Sequence, residues 1–341
     1  MALVEPGRVE VVERTDPEPV EPTDAVLRIS ASGICGSDLH MFRGRVPAEP
    51  GVTLGHEYVG EVVAVGEQVS AVGIGDRVVG AFATACGHCR ACATGQFQHC
   101  EHGALFGLGS GARTLPGTQA DLALIPHADV TLRRIPAELT DHDALFAGDV
   151  LATAFHAIEA GGLRPGDACA VIGLGPVGLC AAMVALTGGA RVVLALDKVP
   201  GRLEIAASLG AVAVDVRDPA FRDAVRRATG PAGAAVVVEA VGSSRALGTA
   251  CEIAGTGATI SVAGMFAEPV AVDMGLVFAK GLRIVAGVAN VLGHIDRVLA
   301  MLCARQLTPG TLITHELALD EAPEAYRAFD RQEALKVLLR P

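Results

Sequence analysis

Over the first 150 residues the apolar positions fall in short runs at Val9–Val12, Ala25–Ile29, Glu57–Val65, Arg77–Val79 and Ala120–Ile125, separated by glycine and proline. Runs of this length predict strands, and their spacing predicts a compact barrel-like β domain with few helices. Near Asp149 the pattern changes. Val150–Ala160 reads as a helix that stops at Gly161-Gly162. Beyond it, strands at Ala168–Ile172, Val192–Leu196, Val212–Asp215, Val236–Glu239 and Thr259–Ala263 alternate with helices at Val177–Leu186, Arg202–Leu209, Phe221–Ala228 and Ala246–Ile253. This alternation predicts a parallel sheet covered on both faces, because parallel neighbours are joined by crossover helices. Leu282–Val288 reads as a further strand and Ile295–Arg305 as a helix, and Leu312–Pro341 returns to strand, helix and strand that pack back on the first domain.

Composition narrows the class. With 51% apolar and 19% charged residues, the 341-residue chain can fill the cores of two domains and does not read as disordered. Its net charge of -11, without a basic run, argues against nucleic acid or an anionic membrane as a partner. Ala168–Ala190 carries no charge over twenty-three positions, which is long enough for a membrane span. Its glycines and Pro176 divide it instead into a strand, a tight turn and a buried helix. The opening MALVEPGRVE lacks a secretion signal, so the nine cysteines point to a cytoplasmic protein with metal-bound and buried thiols. Cys169, Cys180, Cys251 and Cys303 lie on apolar elements and read as core thiols.

Cys86, Cys89, Cys92 and Cys100, in CGHCRACATGQFQHC, have the spacing of a closed four-thiolate zinc site, which pins a loop and leaves no position for substrate. Two disulfides or a redox C-x-x-C pair are the alternatives. His88, His99 and His102 flank this loop as surface residues.

Gly173-Leu174-Gly175-Pro176-Val177-Gly178 follows an apolar strand and opens an apolar helix, the setting in which G-x-G-x-x-G binds a dinucleotide. The first glycine permits the tight turn, the second admits the pyrophosphate, and the third lets helix and strand pack. Asp197, nineteen residues after Gly178, ends the next strand, where a carboxylate accepts from both ribose hydroxyls and disfavours a 2′-phosphate. The cofactor reading is therefore NAD, with Arg202 flanking the adenosine. A flavodoxin-like sheet with a chance glycine turn is the alternative.

Gly33-Ile34-Cys35-Gly36-Ser37-Asp38-Leu39-His40 and Gly55-His56-Glu57 complete a set of motifs. Together with the four-cysteine loop, the glycine turn and Asp197, they resemble the zinc-dependent medium-chain alcohol dehydrogenase family, in the family's order and from about Gly33 to the C-terminus. The resemblance implies a catalytic zinc held by Cys35, His56 and Asp149, with Glu57 visiting the metal or supporting its ligands. It implies two zinc ions per chain, one catalytic and one structural. Aspartate at 149 departs from the cysteine of the best-known members. It is similar to the subgroup of bacterial secondary-alcohol and glutathione-independent formaldehyde dehydrogenases, as are Gly117–Asp121 and Ile125–Asp129. The resemblance further implies that Ser37 takes the alcohol proton and His40 passes it on, that Asp38 orients His56, that Thr153 lies against the nicotinamide, and that Lys336 lies near the pyrophosphate.

The fold expected from this likeness is α/β: a GroES-like β-barrel catalytic domain over 1–149 and 289–341 and a doubly wound Rossmann domain over 150–288, with the active site in the cleft where they meet. The expected reaction moves hydride between an alcohol and NAD, reversibly to aldehyde or ketone, in a homodimer or homotetramer joined through the cofactor domains. A polyol or threonine-type dehydrogenase is the alternative enzyme, although that subgroup carries glutamate where Asp149 stands. A zinc-binding module without catalysis is the alternative of another class. Ser37 and Asp149 could also serve as helix caps. Pocket walls are expected from Arg43–Pro50, Leu105–Leu115 (with Gly109-Ser110-Gly111) and Val288–Leu292, and ten Phe, two Tyr and no Trp favour an aliphatic lining.

Overall fold

The computed structural model describes residues 1–109, 111 and 113–341. Ser110, within the Gly109-Ser110-Gly111 segment expected at the pocket, and Ala112 lie outside the described residues. The chain divides into two compact units, Met1–Ala152 with Asn290–Pro341, and Thr153–Ala289.

The chain opens with a hairpin, β1 (Ala2–Glu5) and β2 (Arg8–Glu10), where Val9–Val12 suggested a strand. Next come β3 (Ala25–Ile34), α1 (Asp38–Phe42), β4 (Glu57–Val65), β5 (Arg77–Gly80) and α2 (Arg90–Ala93). After a single 3-10 turn over Phe97–His99 follow β6 (Leu105–Phe106), β7 (Thr114–Leu115), β8 (Leu122–Ile125), α3 (Ala128–Thr131), β9 (Leu132–Arg134) and α4 (Asp141–Leu145). A second 3-10 turn, Phe146–Gly148, leads through Asp149 into α5 (Val150–Gly161). The second unit then runs β10 (Ala168–Ile172), α6 (Pro176–Thr187), β11 (Val192–Asp197), α7 (Pro200–Ser208), β12 (Val212–Asp215), α8 (Phe221–Thr229), β13 (Ala234–Glu239), α9 (Ser244–Ile253), β14 (Ala254–Val262), α10 (Met274–Lys280) and β15 (Arg283–Ala286). The first unit resumes with α11 (Val291–Cys303), β16 (His315–Ala318), α12 (Ala322–Asp330) and β17 (Val337–Arg340).

In the first unit a seven-stranded sheet runs β16-β17-β3-β4-β5-β9, with β8 paired to β3. β3 is the hub because it is twice the predicted length: its first residues pair β8, nearly its whole length pairs β4, and its last residues pair β17. The C-terminal strand thus lands beside Gly33 and Ile34, bringing Lys336 to the start of the first motif. One apolar core lies between β3, β4, β5 and β8 around Tyr58 and Phe106, and another under α12 around Tyr326 and Phe42. The first half carries more helix than its hydrophobic pattern suggests, since α1 to α4 span only four or five residues each, too short to show a helical period.

The second unit is a six-stranded parallel sheet in the order β12-β11-β10-β13-β14-β15, a doubly wound arrangement that places the mouth of the first βα turn at the reversal of strand order. β10 is buried at every residue, as a central parallel strand must be. The uncharged stretch 168–190 holds β10, the glycine turn and α6, and among the described residues no helix is long and apolar enough to cross a membrane.

Candidate metal and cofactor sites

Three elements of the first unit converge on one metal-competent cluster. Cys35 follows β3, His56 immediately precedes β4 and Glu57 begins it, and Asp149 follows the Phe146–Gly148 turn. One ligand atom from each of the four lies within 4.8 Å of the others. Cys35 Sγ is 3.6 Å from Asp149 Oδ2, and His56 Nε2 is 3.3 Å from the same oxygen. A tetrahedral zinc with bonds of about 2.3 Å to sulfur and about 2.1 Å to nitrogen and oxygen sets these edges at about 3.6 and about 3.4 Å. The donor set fits the ion.

The electrostatics agree with the geometry. Burial pushes the Cys35 thiol up, and Asp149 and Glu57 push it further. Burial alone would lower the His56 imidazolium, yet Asp38, Asp149 and Cys35 outweigh it and raise the group well above its usual range. Buried anions crowded around one imidazole are what a dication relieves, and metal binding releases such protons. Glu57 Oε1 is buried without a partner, a further oxygen aimed into the cluster.

Around these atoms stand the other expected residues. Asp38 is fully buried; its Oδ2 accepts from the Cys35 amide at 2.9 Å and its Oδ1 is 3.2 Å from His56 Nδ1. Ser37 occupies the N-cap position of α1 but makes no capping bond; its hydroxyl is 3.1 Å from His56 Nε2. His40, on α1, is half-buried with Nδ1 unpartnered, and burial and then Arg45 and Arg43 hold it below its usual range. Asp149, at φ -153 and ψ -82, lies between the 3-10 turn and α5, and the backbone before it is closely packed: a Cβ on Gly148 would meet Gly80 O at 2.2 Å.

Lys336, expected near the pyrophosphate, is found against Glu57. It is fully buried, and its ammonium donates to Glu57 Oε2 and, at 3.1 Å, to Ile34 O. With no exposed surface and these partners, Lys336 stands beside the metal cluster. Gly33 makes room for the pair, since a Cβ there would stand 2.3 Å from Glu57 Oε2. Sequence reasoning also missed Gln119. Its amide donates to Gly33 O at 3.0 Å and accepts from the Tyr326 hydroxyl at 2.8 Å, bracing the strand before Cys35. The sequence marks it only as part of the Gly117–Asp121 stretch, with no role attached.

The four-cysteine loop closes on itself. Cys89 to Cys92, Cys86 to Cys100, Cys89 to Cys100 and Cys86 to Cys92 are 3.5, 3.6, 3.9 and 4.0 Å apart at sulfur. These bracket the edge of about 3.8 Å for four thiolates on one zinc and exceed the disulfide length of about 2.05 Å. The Cys89 and Cys86 amides donate to the thiols of Cys86 and Cys100 at 3.4 and 3.3 Å. His99 is exposed beside the loop.

In the second unit each glycine of the turn has its own geometry. Gly173 has φ +89 and Val241 Cγ2 stands 2.5 Å from where its Cβ would be. Gly178 packs so closely that a Cβ would lie 1.8 Å from Gly173 O. Gly175 faces open space, with nothing within 4 Å. Pro176 and Val177 open α6, whose N-terminus has no side-chain cap and presents free amides. Asp197 Oδ2 accepts from the Leu174 amide at 2.6 Å, and Arg202 Nη1 stands 4.0 Å from that oxygen. Thr153 lies half-buried on α5.

Comparison with known proteins agrees. Residues 21–136 match the alcohol dehydrogenase GroES-like domain and 176–301 the zinc-binding dehydrogenase domain. The alcohol dehydrogenase of Thermus sp. ATN1 superposes with a TM-score of 0.94 at 43% identity, over 99% of this chain and 98% of that one. A probable zinc-binding alcohol dehydrogenase of Mycobacterium tuberculosis is 36% identical over 98% of this chain and 86% of its own length. An alcohol dehydrogenase of Cupriavidus necator is 32% identical over 99% of this chain and 97% of its own. The chain belongs to the zinc-dependent medium-chain alcohol dehydrogenase family. It is an oxidoreductase of that family, with a GroES-like unit and a Rossmann unit.

Proposed function

We propose that the protein is a reversible, NAD-linked dehydrogenase of secondary or small primary alcohols. The observation that carries this is the Cys35, His56 and Asp149 cluster, whose mutual distances suit three ligands of a tetrahedral ion with a fourth position left for substrate. Zinc held there supplies Lewis acidity toward an alcohol or carbonyl oxygen, and NAD the hydride acceptor.

The chain's own residues handle position and protons. Asp38, fixed by the Cys35 amide, holds His56 by Nδ1 and leaves Nε2 for the metal. Ser37 takes the proton of the alcohol, and His40, neutral in the physiological range because it is held below its usual pKa, passes that proton toward solvent. Glu57, tied to Lys336, supports the ligand set and offers Oε1 as an occasional ligand.

Gly173, Gly175, Pro176, Val177 and Gly178 receive the pyrophosphate, Asp197 the adenosine ribose with Arg202 beside it, and Thr153 the nicotinamide. The second zinc sits on Cys86, Cys89, Cys92 and Cys100. Assembly as a homodimer or homotetramer is supported by the edge strand β15, exposed at every residue, and by Phe278, 89% exposed on α10. The polyol reading is weaker because Asp149 stands where that subgroup has glutamate.

Metal analysis combined with cofactor reduction across primary alcohols, secondary alcohols, polyols and hydrated formaldehyde tests the proposal. Two zincs per chain and turnover with NAD on a secondary or small primary alcohol support it. One zinc, confined to the cysteine loop, and no turnover would make the chain a zinc-binding module.

A further inference from the structure

We propose that the four-cysteine lobe positions the Cys35–His56–Asp149 cluster, with Phe82 and Asn290 as the positioning residues that link the two. The inference rests on the reading above that the cluster binds metal. The lobe and the cluster are far apart in role, one closed and one open, but two continuous routes join them.

The first route is the segment between β5 and Cys86. Its Phe82 amide donates at 3.1 Å to Gly148 O, the carbonyl immediately before Asp149. The Phe82 ring stands edge-on to His56, 6.4 Å between centroids at 83°. Thr84 then locks the segment from both ends of one residue, its amide donating to Ala104 O at 2.9 Å and its hydroxyl accepting from the Ala104 amide at 3.1 Å. Cys86 follows two residues later. One short, tied stretch therefore meets His56 and the residue immediately before Asp149, and carries the first ligand of the closed site.

The second route runs through α11. Helix α2, which bears Cys92, ends at Ala93, and Gly95 follows two residues later in the left-handed region with φ +73. Asn290 Nδ2 donates to the Gly95 carbonyl at 2.7 Å. The amide lies folded over the first turn of α11, where a Cβ on Gly293 would be 2.5 Å from it. Asn290 Oδ1 is buried and has no partner among the described residues, so the Gly95 bond orients the amide. From there α11 packs against the Phe97–His99 turn of the lobe and against the Phe146–Gly148 turn that delivers Asp149. Its buried residues are His294 and an apolar stripe of Val291, Leu292, Ile295, Val298, Leu299 and Leu302, so movement at its first turn is carried along the helix.

A four-thiolate ion fixes the shape of its loop. Through Phe82 and Asn290 that fixed shape sets where Asp149 and His56 stand, which gives the non-reacting zinc a function at the reacting one.

The test uses full-length protein loaded with cobalt(II), whose visible bands separate a four-thiolate site from a site with one thiolate. Wild type, Asn290→Ala and Phe82→Leu are compared for metal content, for the band positions of the one-thiolate site and for its rate of metal loss to a chelator. Both variants are expected to bind two ions, with shifted cluster bands and metal loss faster by about ten-fold, the scale of losing a group that orients metal ligands. Should one variant fail to fold, the other is read alone. Unchanged bands and release rates overturn the coupling. Wild-type protein that binds only one ion overturns instead the assignment of the cluster as a metal site.

Discussion

Lys336 and Glu57 form an ion pair in which neither side chain has any solvent exposure, directly behind the Cys35–Asp149 contact. Burial alone would lower the Lys336 ammonium; the carboxylate of Glu57, with Cys35 and Asp149, more than offsets it. Removing one partner of such a pair leaves a charge stranded in the interior. Lys336→Met should therefore destabilise the first unit by about 3–5 kcal/mol, measured as a drop in the urea midpoint. Adding Glu57→Gln should restore most of the loss. A single variant as stable as wild type would show that the pair is not charged.

The glycines of the dinucleotide turn separate folding from binding. A Cβ on Gly178 would collide with Gly173 O, between parts of the backbone that cannot yield. Gly178→Ala should cost about 2 kcal/mol or more, the scale of overpacking a close contact. Gly175→Ala meets open space and has φ -69, so stability should change by less than about 0.5 kcal/mol, as for an unstrained exposed site. Its methyl group would occupy the place of a pyrophosphate, so the KM for NAD should rise about ten-fold or more while unfolding is unchanged. Equal effects of the two substitutions on stability would refute the division.

Asp197 has two tasks that one substitution can separate. Its Oδ2 holds the Leu174 amide and its Oδ1 the amides of Lys198 and Val199, at 2.6 and 3.0 Å. Under the proposed reading, in which its charge opposes a 2′-phosphate, Asp197→Asn keeps one accepting oxygen but loses that charge. The ratio of kcat/KM for NAD over NADP should fall by about ten-fold, equivalent to about 1.4 kcal/mol, with Arg202 then free to meet the phosphate. An unchanged ratio would mean that selectivity lies elsewhere in the pocket.

Most of what orders the second unit was legible because its strands and helices are long enough to show their periods, from β10 to α9. The strand β3 was read as half its length because Ser30, Ser32 and Gly33 interrupt the apolar run. Its polar members are explained by partners distant in sequence: Ser32 donates to Glu57 O at 2.8 Å and Ser30 to Asp141 at 2.9 Å. The chemistry of the cluster was legible as motifs, since Cys35, Ser37, Asp38, His56 and Glu57 are local signals. The pairing of Lys336 with Glu57 was not legible because it depends on β17 pairing with β3, a contact across some three hundred residues that no local pattern encodes.

Glu239 carries a pH dependence that the glycine turn inherits. Its carboxylate ends β13, fully buried, and accepts from the amides of Val241 at 3.0 Å and Gly242 at 2.9 Å. Val241 in turn walls the Gly173 turn. Burial raises the carboxyl above its ordinary range, and the backbone donors only partly oppose this. The folded state therefore holds the proton more tightly than the unfolded chain. Below the ordinary glutamate range both states are protonated and the contribution to stability is complete. As pH rises, the unfolded chain ionises first and is favoured, so that contribution is lost until the folded carboxyl ionises too. Glu239→Gln, which cannot ionise and retains an accepting oxygen, should gain stability relative to wild type between about pH 4.5 and neutrality, from the ordinary glutamate range upward. Urea unfolding of both proteins across that range measures the difference. A difference that shrinks as pH rises would mean that the amides of Val241 and Gly242 stabilise the anion more than burial penalises it.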